Sequence, residues 1–283
     1  MNKLKLQSML KHFFMEDIGE GDINTEYIFS PDQPGKLTFI AKQNGIFCGK
    51  DVIEEGFRIL DSTVRPRIFP RDGTWIEKGT VIAEIHGPVV SLLSGERVIL
   101  NLVQRMSGIA TTTNAAVRET KGTHAKICDT RKTTPGLRML EKYAVKAGGG
   151  FNHRRGLYDC VMLKDNHIAF AGSITKAVET VKASIGHTVK IEVEIETKDQ
   201  LLEAVRAGAD IIMFDNRSPA EIREWLPLVP PHIATEASGN ITMEKIRSYA
   251  ETGIEWISLG FLTHSYPVLD ISAIVENTKE VAL

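Results

Sequence analysis

The hydrophobic pattern of the first hundred residues changes from helical to strand-like spacing. Leu6, Met9, Leu10, Phe13 and Phe14 recur at helical spacing and predict an amphipathic helix. Short β-rich runs follow, separated by turn dipeptides at 72–73 and 78–79; they are residues 37–41, 45–48, 64–69 and 81–85. An apolar run from about Ser94 to Ala110 then predicts a helix whose N-cap is Ser94.

From about Lys126 onward, β-rich runs alternate with helical patterns. The β-rich runs are 125–130, 160–164, 189–195, 210–215, 233–237 and 256–260. The helical patterns are 134–147, 173–184, 198–207, 219–226 and 243–251, with Thr197 and Ser218 at N-cap positions and Gly208 and Gly253 at C-cap positions. Repeated βα units predict parallel strands. Because six units are fewer than the eight of a complete barrel, we expect an incomplete α/β barrel.

Composition narrows the class of protein. A formal net charge of −2 over 283 residues gives no reason to expect nucleic acid or an anionic membrane as a partner, so an anionic ligand requires a local cluster of cations. The three cysteines are widely spaced and form no C-x-x-C motif, which favours reduced thiols in a cytoplasmic protein. The sequence shows neither a signal peptide nor a run of ~20 apolar residues that would span a membrane.

The loops after the first two strands are rich in cations. Thr130, Arg131 and Lys132 precede a helix and form a natural anion pocket, although a solvated start of a helix is the plain alternative. Residues 148–150 are glycines that follow a helix and fit a C-cap, and His153-Arg154-Arg155 comes next. Clustered cations repel each other unless an anion lies among them.

The strand ends that follow carry one lysine and several acids. Lys164 ends an apolar strand and points into the barrel mouth or, alternatively, out to solvent. His167 has Asp165 and Asn166 as neighbours, which favours a structural role. In 190–196 the alternation places Glu192, Glu194 and Glu196 on one face. Asp215 ends the next strand, where it serves chemistry or caps the following helix.

The last two strands end in glycine-containing loops, Ser238-Gly239-Asn240 and Leu259-Gly260-Phe261. Loops of this kind late in an α/β barrel, each followed by a helix, typically hold phosphate. Cations, acids and a late phosphate site at one barrel mouth predict a phosphorylated, multiply anionic substrate with sugar hydroxyls and a divalent metal.

These loops belong to longer motifs that cover nearly the whole chain. They are EDIGEGDINT (16–25), SGERVILNLVQRMSGIAT (94–111), DTRKTTPGLR (129–138), EKYAVKAGGGFNHRRGLYD (141–159), LKDNHI (163–168), EVE (192–194), FDN (214–216), EASGNI (236–241) and SLGFLTHS (258–265). In this order they resemble the decarboxylating quinolinate phosphoribosyltransferases, also called nicotinate-nucleotide pyrophosphorylases (carboxylating).

The resemblance implies an N-terminal α/β open sandwich over 1–110, on which the C-terminal tail 270–283 can pack, and a partly open α/β barrel over 111–269. It implies transfer of phosphoribosyl from phosphoribosyl pyrophosphate to quinolinate with decarboxylation, using Mg²⁺ and no organic cofactor. The products would be nicotinate mononucleotide, pyrophosphate and CO₂. The protein would be a homo-oligomer, either a dimer or a hexamer, with shared active sites.

The same resemblance assigns roles to residues. Lys132, Lys164, Glu194 and Asp215 would be catalytic, and Glu194 and Asp215 would serve the ribose hydroxyls and Mg²⁺, directly or through substrate and water. Substrate would further be bound by Thr130, Arg131, His153, Arg154, Ser238, Gly239, Asn240, Leu259, Gly260, Phe261 and His264, and by Arg97 of the partner subunit.

Two alternatives stay open at this point. A related paralogue of the molybdenum-transport-associated type would act on another anionic acceptor, and the barrel motifs alone do not exclude it. Residues 72–87 also resemble a biotinyl or lipoyl hammerhead, but the segment lacks a modifiable lysine at a hairpin tip, which favours a structural role.

Overall fold

The computed structural model describes residues 1–276; residues 277–283, the end of the predicted C-terminal tail, lie outside the described residues. The chain divides into two compact units. Unit 1 consists of Met1–Thr112, Met139–Gly149 and the described chain from Tyr266 onward, and unit 2 consists of Thr113–Arg138 and Gly150–Ser265. The domain boundary at 110/111 stays a prediction.

The first half of the chain contains α1 (Lys3–Ile18), α2 (Thr25–Ile28), β1 (Pro34–Ala41), β2 (Gly45–Ile46), α3 (Lys50–Leu60), β3 (Arg65–Ile68), β4 (Trp75–Ile76), β5 (Val81–Pro88) and α4 (Val89–Glu119). The second half contains β6 (Lys126–Cys128), α5 (Arg138–Ala147), β7 (Val161–Leu163), α6 (Asp165–Ala171), α7 (Ile174–Lys182), β8 (Ile191–Ile195), α8 (Lys198–Ala207), β9 (Ile211–Asp215), α9 (Pro219–Trp225), β10 (Ala234–Ser238), α10 (Ile246–Ala250), β11 (Trp256–Ser258), α11 (Phe261–His264) and β12 (Ile271–Glu276).

Unit 1 is organised around an antiparallel sheet with the strand order β12-β1-β5-β3, beside the two-stranded β2-β4 sheet. β12 pairs with β1 along its full length, from Ile271 opposite Ala41 to Glu276 opposite Lys36. The segment that resembles a hammerhead supplies β4 and β5 of these sheets. The predicted N-terminal helix is confirmed as α1, with Leu6, Leu10 and Phe14 buried.

Two predictions for unit 1 were wrong. Helix α3 lies in a region that was predicted to contain only strands, although Val52, Ile53 and Phe57 recur at helical spacing and form its buried face. Gly56 is required by packing, since a Cβ there would come within 2.8 Å of the Ile99 side chain. Ser94 is not an N-cap either: α4 starts at Val89, directly after β5, and the Ser94 hydroxyl donates to Oδ2 of Asp22.

Unit 2 contains a six-stranded parallel sheet in the order β6-β11-β10-β9-β8-β7, and all six predicted strands are present. β6 and β7 are its two edges, and the Phe151 backbone forms a single parallel bridge with Cys128 on β6. The predicted fold class is therefore confirmed: an N-terminal α/β open sandwich and an incomplete α/β barrel of parallel strands.

Helix caps in unit 2 largely follow the prediction. Thr197 and Ser218 each form a capping box, and Gly208 is the left-handed C-cap of α8. Gly253 is not a C-cap, since α10 ends before Glu251 and Gly253 lies in the turn beyond it. Among residues 1–276, no helix combines the length and the apolar character that a membrane crossing requires.

Candidate active site

The residues that follow the six strands of unit 2 line one cavity of about 860 Å³. Parallel strands bring their carboxyl ends to the same edge, so six loops that are distant in sequence meet there. Because side chains alternate between the two faces of a strand, every second residue faces the cavity, and the wall has two layers. Met162, Met213 and Glu236 lie deep, and Lys164, Asp215 and Ser238 follow each of them by two residues, on the same face and nearer the mouth.

Arginines form the cationic part of the wall. Arg131 follows β6, and Arg154 lies in the loop after α5. Burial lowers the pKa of Arg131, and the positive charges of Arg154 and Arg138 lower it further. The buried Nε–H of Arg131 has no hydrogen-bond partner in the described structure. Because a buried guanidinium donor is costly to leave unpaired, this arrangement is suited to a fixed anion.

His153 belongs to a buried cluster with Glu192 and Glu236. The backbone N–H of Arg154 donates to its Nδ1 at 2.8 Å, so a neutral imidazole here carries its proton on Nε2. Nε2 donates to Oε1 of Glu192 at 3.3 Å, while Oε2, at 3.0 Å, lies outside hydrogen-bond geometry. Oε1 of Glu236 is 3.5 Å away. His153 therefore directs its N–H at buried carboxylates, rather than adding a free positive charge to the cavity.

Glu236 lies deepest in the cavity wall. Its side chain is 5% exposed, and the Ser258 hydroxyl donates to its Oε1. Burial and, next, repulsion from Glu192 raise the pKa of Glu236 to about 7, against the opposing effects of His153 and Ser258. At neutral pH the cluster therefore holds a carboxyl group that is only partly ionised.

The acids near the mouth are arranged around a lysine. Nζ of Lys164 donates to Oε2 of Glu194 at 2.5 Å, so Lys164 does not simply extend to solvent. Burial raises the pKa of Glu194; Lys164 opposes this, and the charge of Asp215 adds to it. Asp215 does not cap the following helix, because Ser218 does so. Two repelling carboxylates at an open cavity are a natural place for a cation.

A hard divalent cation fits Glu194 and Asp215 better than it fits the buried cluster. Ligand atoms of His153, Glu192 and Glu236 lie within 4.8 Å of one another, but two of the three residues are buried and one offers nitrogen. Mg²⁺ prefers oxygen ligands and keeps several waters. Glu194 and Asp215 offer carboxylate oxygen in a cavity with room for both water and substrate.

The glycines of the two late loops allow neighbouring side chains to approach the backbone closely. At Gly239 the backbone is left-handed, with φ 91°, and a Cβ there would lie 2.4 Å from Oδ1 of Asn216. At Gly260 a Cβ would lie 3.0 Å from both the His264 Nε2 and the Lys132 Cδ. The Thr263 hydroxyl donates to the Lys132 carbonyl at 2.8 Å, which joins the first loop to the last.

Most of the predicted site residues meet in this cavity. Its lining includes Thr130, Arg131, Lys132, His153, Arg154, Lys164, Glu194, Asp215, Ser238, Gly239, Asn240, Gly260, Phe261 and His264. Leu259 is outside this lining; it is 1% exposed and its N–H donates to the Cys128 carbonyl. Arg97 and Arg155 are also outside it: Arg97 lies on α4 in unit 1, and the exposed Arg155 donates its backbone N–H to Asp159. The roles of all these residues stay predictions.

Sequence reasoning missed Asn216, Glu236 and Ser258, which also line the cavity. Glu236 had a signal: it interrupts an apolar strand two residues before Ser238 and therefore faces the same way. Glu196, by contrast, lies past the end of β8 and is exposed, so of that acidic series Glu194 lines the cavity and Glu192 is buried beside His153. His167 accepts from the Lys164 N–H through Nδ1 at the start of α6, which is a structural contact.

Comparisons with known proteins agree along the chain. Residues 22–107 match the family model of the quinolinate phosphoribosyl transferase N-terminal domain, and residues 109–273 match that of its C-terminal domain. The chain is 56% identical over 280 residues to a probable nicotinate-nucleotide pyrophosphorylase [carboxylating] of Bacillus subtilis (strain 168), covering 99% of this chain and 96% of the relative.

Solved structures give the same result. NadC from Streptococcus pyogenes superposes with a TM-score of 0.94 at 39% identity, covering 98% of both chains. The nicotinate-nucleotide pyrophosphorylase from Francisella tularensis superposes with a TM-score of 0.93 at 36% identity, with the same coverage. The chain belongs to the quinolinate phosphoribosyltransferase family.

Proposed function

We propose that the protein transfers phosphoribosyl from phosphoribosyl pyrophosphate to the ring nitrogen of quinolinate. Loss of CO₂ then gives nicotinate mononucleotide, a step of NAD biosynthesis. The observation that carries the proposal is the state of Arg131, a half-buried arginine that is repelled by two other arginines and whose buried Nε–H has no partner in the described structure. Such a group is suited to a fixed anion. The nearby acids suit the ribose hydroxyls and Mg²⁺ of a phosphoribosyl donor, and the glycine loops suit its 5′-phosphate.

Arg131 and Arg154 are the residues we assign to the two carboxylates of quinolinate. Guanidinium groups offer bidentate donors, which suit carboxylates better than the single charge of a lysine. His153 would fix the orientation of Arg154, since the backbone N–H of Arg154 is bound to its Nδ1. Thr130 would keep the loop in place, because its hydroxyl accepts from the Lys132 N–H at 2.9 Å.

We assign Glu194 and Asp215 to the ribose hydroxyls and Mg²⁺. When bound, Mg²⁺ supplies charge neutralisation for the pyrophosphate leaving group. The carboxylates of Glu194 and Asp215 would stabilise the positive charge that develops on the ribosyl carbon as pyrophosphate leaves. Lys164, paired with Glu194, would keep this acid ionised against its burial and would extend the cationic surface toward the substrate.

The late loops are assigned to phosphate. Backbone N–H groups of Ser238–Asn240 and of Gly260–Phe261 would bind the 5′-phosphate, with His264 beside them. The Lys132 side chain approaches Gly260 and would meet the negative charge of the pyrophosphate. After ribosylation, the positive ring nitrogen stabilises the carbanion left by departing CO₂, and the carbanion takes up a proton. The residues of the protein position and neutralise; no covalent intermediate with the protein is required.

Arg97 is outside the cavity lining, and we assign it to the site of a second subunit. It lies on α4 in unit 1, its side chain is 64% exposed, and Glu96 is 3.7 Å away. We therefore propose a homo-oligomer in which Arg97 of each chain reaches quinolinate in the neighbouring one. The alternative of a molybdenum-transport-associated paralogue is not favoured by the family models or by the names of the relatives.

The test is consumption of quinolinate, followed by the loss of its ultraviolet band. Turnover should require both phosphoribosyl pyrophosphate and Mg²⁺. Arg131→Lys keeps the charge but removes the bidentate donors, so it should lower turnover at least ~10-fold. Arg247→Lys is the matched control, because Arg247 pairs with Glu251 outside the cavity lining. Wild-type protein that leaves quinolinate unchanged would disprove the proposal.

A further inference from the structure

Two asparagines at the cavity adopt a backbone conformation that other residues avoid. Asn216, directly after β9, has φ 53°, and Asn240, two residues after β10, has φ 51°. In residues 1–276 they are the two positions other than glycine with positive φ. Asparagine tolerates this region better than most residues, but the conformation persists only where the surroundings hold it. Both residues line the cavity, and Asn216 has no role in the function proposed above.

Hydrogen bonds link Asn216 to Asp215 on one side and to Asn240 on the other. Nδ2 of Asn216 donates to Oδ2 of Asp215 at 2.6 Å, and Oδ1 of Asn216 accepts from Nδ2 of Asn240 at 2.9 Å. The orientation of the Asn216 amide follows from chemistry, because an ionised carboxylate only accepts and must face an N–H group. This orientation in turn requires Asn240 to present its N–H group, so one amide determines the direction of the next.

The backbone supports the same connection. The Asn216 N–H donates to the Ser238 carbonyl at 2.9 Å, which extends the β9–β10 pairing by one residue. Gly239 leaves space for the Asn216 amide, since a Cβ would lie 2.4 Å from Oδ1 and 2.6 Å from Cγ. The absence of a side chain at Gly239 therefore makes room for the Asn216 amide.

We infer that Asn216 is a positioning residue that couples the Asp215 carboxylate to the Ser238–Asn240 loop. It holds the acid by its amide N–H and the loop by its amide oxygen and backbone. Both asparagines are exposed, so water competes for their side-chain hydrogen bonds and these bonds alone would hold the amides only weakly. The left-handed backbone of each residue also keeps its amide in place. The inference rests on the proposed function, in which Asp215 serves the ribose and the loop binds its 5′-phosphate.

Two substitutions separate the amide from the backbone. Asn216→Gly keeps the left-handed conformation at no steric cost and removes both side-chain hydrogen bonds. Asn216→Asp keeps the size and the acceptor for Asn240, but sets a carboxylate against Asp215. The control is Asn44→Gly, since Oδ1 of Asn44 accepts from the Lys78 N–H in unit 1 and the residue is outside the cavity lining. Thermal melts establish that each variant is folded.

The decisive measurement is a double-mutant cycle with Asp215→Asn, read in kcat/KM for phosphoribosyl pyrophosphate and in the Kd of ribose 5-phosphate. A hydrogen bond to a charged group corresponds to roughly 10- to 100-fold in an equilibrium constant. Asn216→Gly should therefore weaken both quantities at least ~10-fold in the wild-type background. In the Asp215→Asn background the loss should fall below ~3-fold, because the partner is already changed. The Kd of quinolinate should change less than ~2-fold throughout.

Each result has one meaning. Equal losses in both backgrounds would overturn the inference, because Asn216 would then act independently of Asp215. An effect confined to quinolinate binding would overturn it as well. If Asn216→Gly fails to fold, the same cycle with Asn216→Asp decides. If wild-type protein shows no turnover, the proposed function fails, while the ribose 5-phosphate cycle still measures whether Asn216 and Asp215 are coupled.

Discussion

Glu236→Gln tests whether the floor of the cavity holds a protonated carboxyl group. Glutamine keeps the size of the side chain and an acceptor for the Ser258 hydroxyl, and removes the ionisable group. The pKa of Glu236 is raised from 4.5 to about 7, mainly by burial. A pKa difference of this size means that ionising Glu236 costs about 3 kcal/mol more in the folded protein than in the unfolded chain.

The direction of the effect follows from proton binding. Between pH 4.5 and about 7 the folded protein holds a proton on Glu236 that the unfolded chain has lost. Stability therefore falls as pH rises through this window, and the full cost is present above it. Relative to Glu236→Gln, the wild-type protein should lose roughly 2–3 kcal/mol between pH 5 and pH 8. For a unit of this size the difference in Tm should change by roughly 4–12 °C.

The assay is calorimetric melting of both proteins at several pH values in that range. Glu196→Gln is the control, because Glu196 is exposed just beyond the end of β8 and should not change the pH dependence of Tm. Melting curves of wild type and Glu236→Gln that stay parallel from pH 5 to pH 8 would refute the reasoning. So would a difference that grows toward low pH, since it would mean that Glu236 is ionised and stabilising in the folded state.

Other measurements separate binding from chemistry at the same cavity. Nicotinate, which lacks one carboxylate, should be a poorer acceptor than quinolinate by ~100-fold or more in kcat/KM, because one cation of the cavity is left without its carboxylate; comparable turnover would contradict the assignment. Asp215→Asn should lower kcat substantially and leave quinolinate affinity, measured by titration calorimetry, almost unchanged; the reverse pattern would contradict its role. Mixing inactive Arg97→Ala and Arg131→Ala chains under subunit exchange should restore roughly a quarter of the sites, whereas an Arg97 that serves its own chain would restore none.

The strands of unit 2 could be predicted because their runs are rich in apolar, β-favouring residues, even where β8 carries Glu192 and Glu194. Runs such as 191–195 and 211–215 are short, β-rich and bounded by polar turns, and they become β8 and β9. Helix α3 was missed although Val52, Ile53 and Phe57 recur at helical spacing; what the sequence does not explain is Gly56, whose contact is Ile99, 43 positions away. The start of α4 was misplaced because no loop separates it from β5.

The site was predictable where chemistry alone selects the residue type. Arg131 and Asp215 stand out because a charged group that ends an apolar strand requires a reason. The tautomer of His153 was not predictable, because it depends on the Arg154 N–H and on two carboxylates from other strands. Asn216 was missed although it was part of a recognised motif, because its significance lies in a left-handed backbone and in contacts with a neighbouring loop.

The two layers of the cavity wall explain why the residues near the mouth can be highly charged. Glu192 lies two residues before Glu194 on β8, and Glu236 lies two residues before Ser238 on β10. Each deep residue therefore faces the same side of the sheet as the residue nearer the mouth. A full negative charge on both deep acids would repel an anionic substrate and would be costly to bury. A partly protonated Glu236 reduces that charge, and the Nε2–H of His153 faces the carboxylates of Glu192 and Glu236. Arg131 and Arg154 then attract an anionic substrate with less opposition from the negative charge of the deep carboxylates. The fold therefore has an anion site although the protein carries no net positive charge.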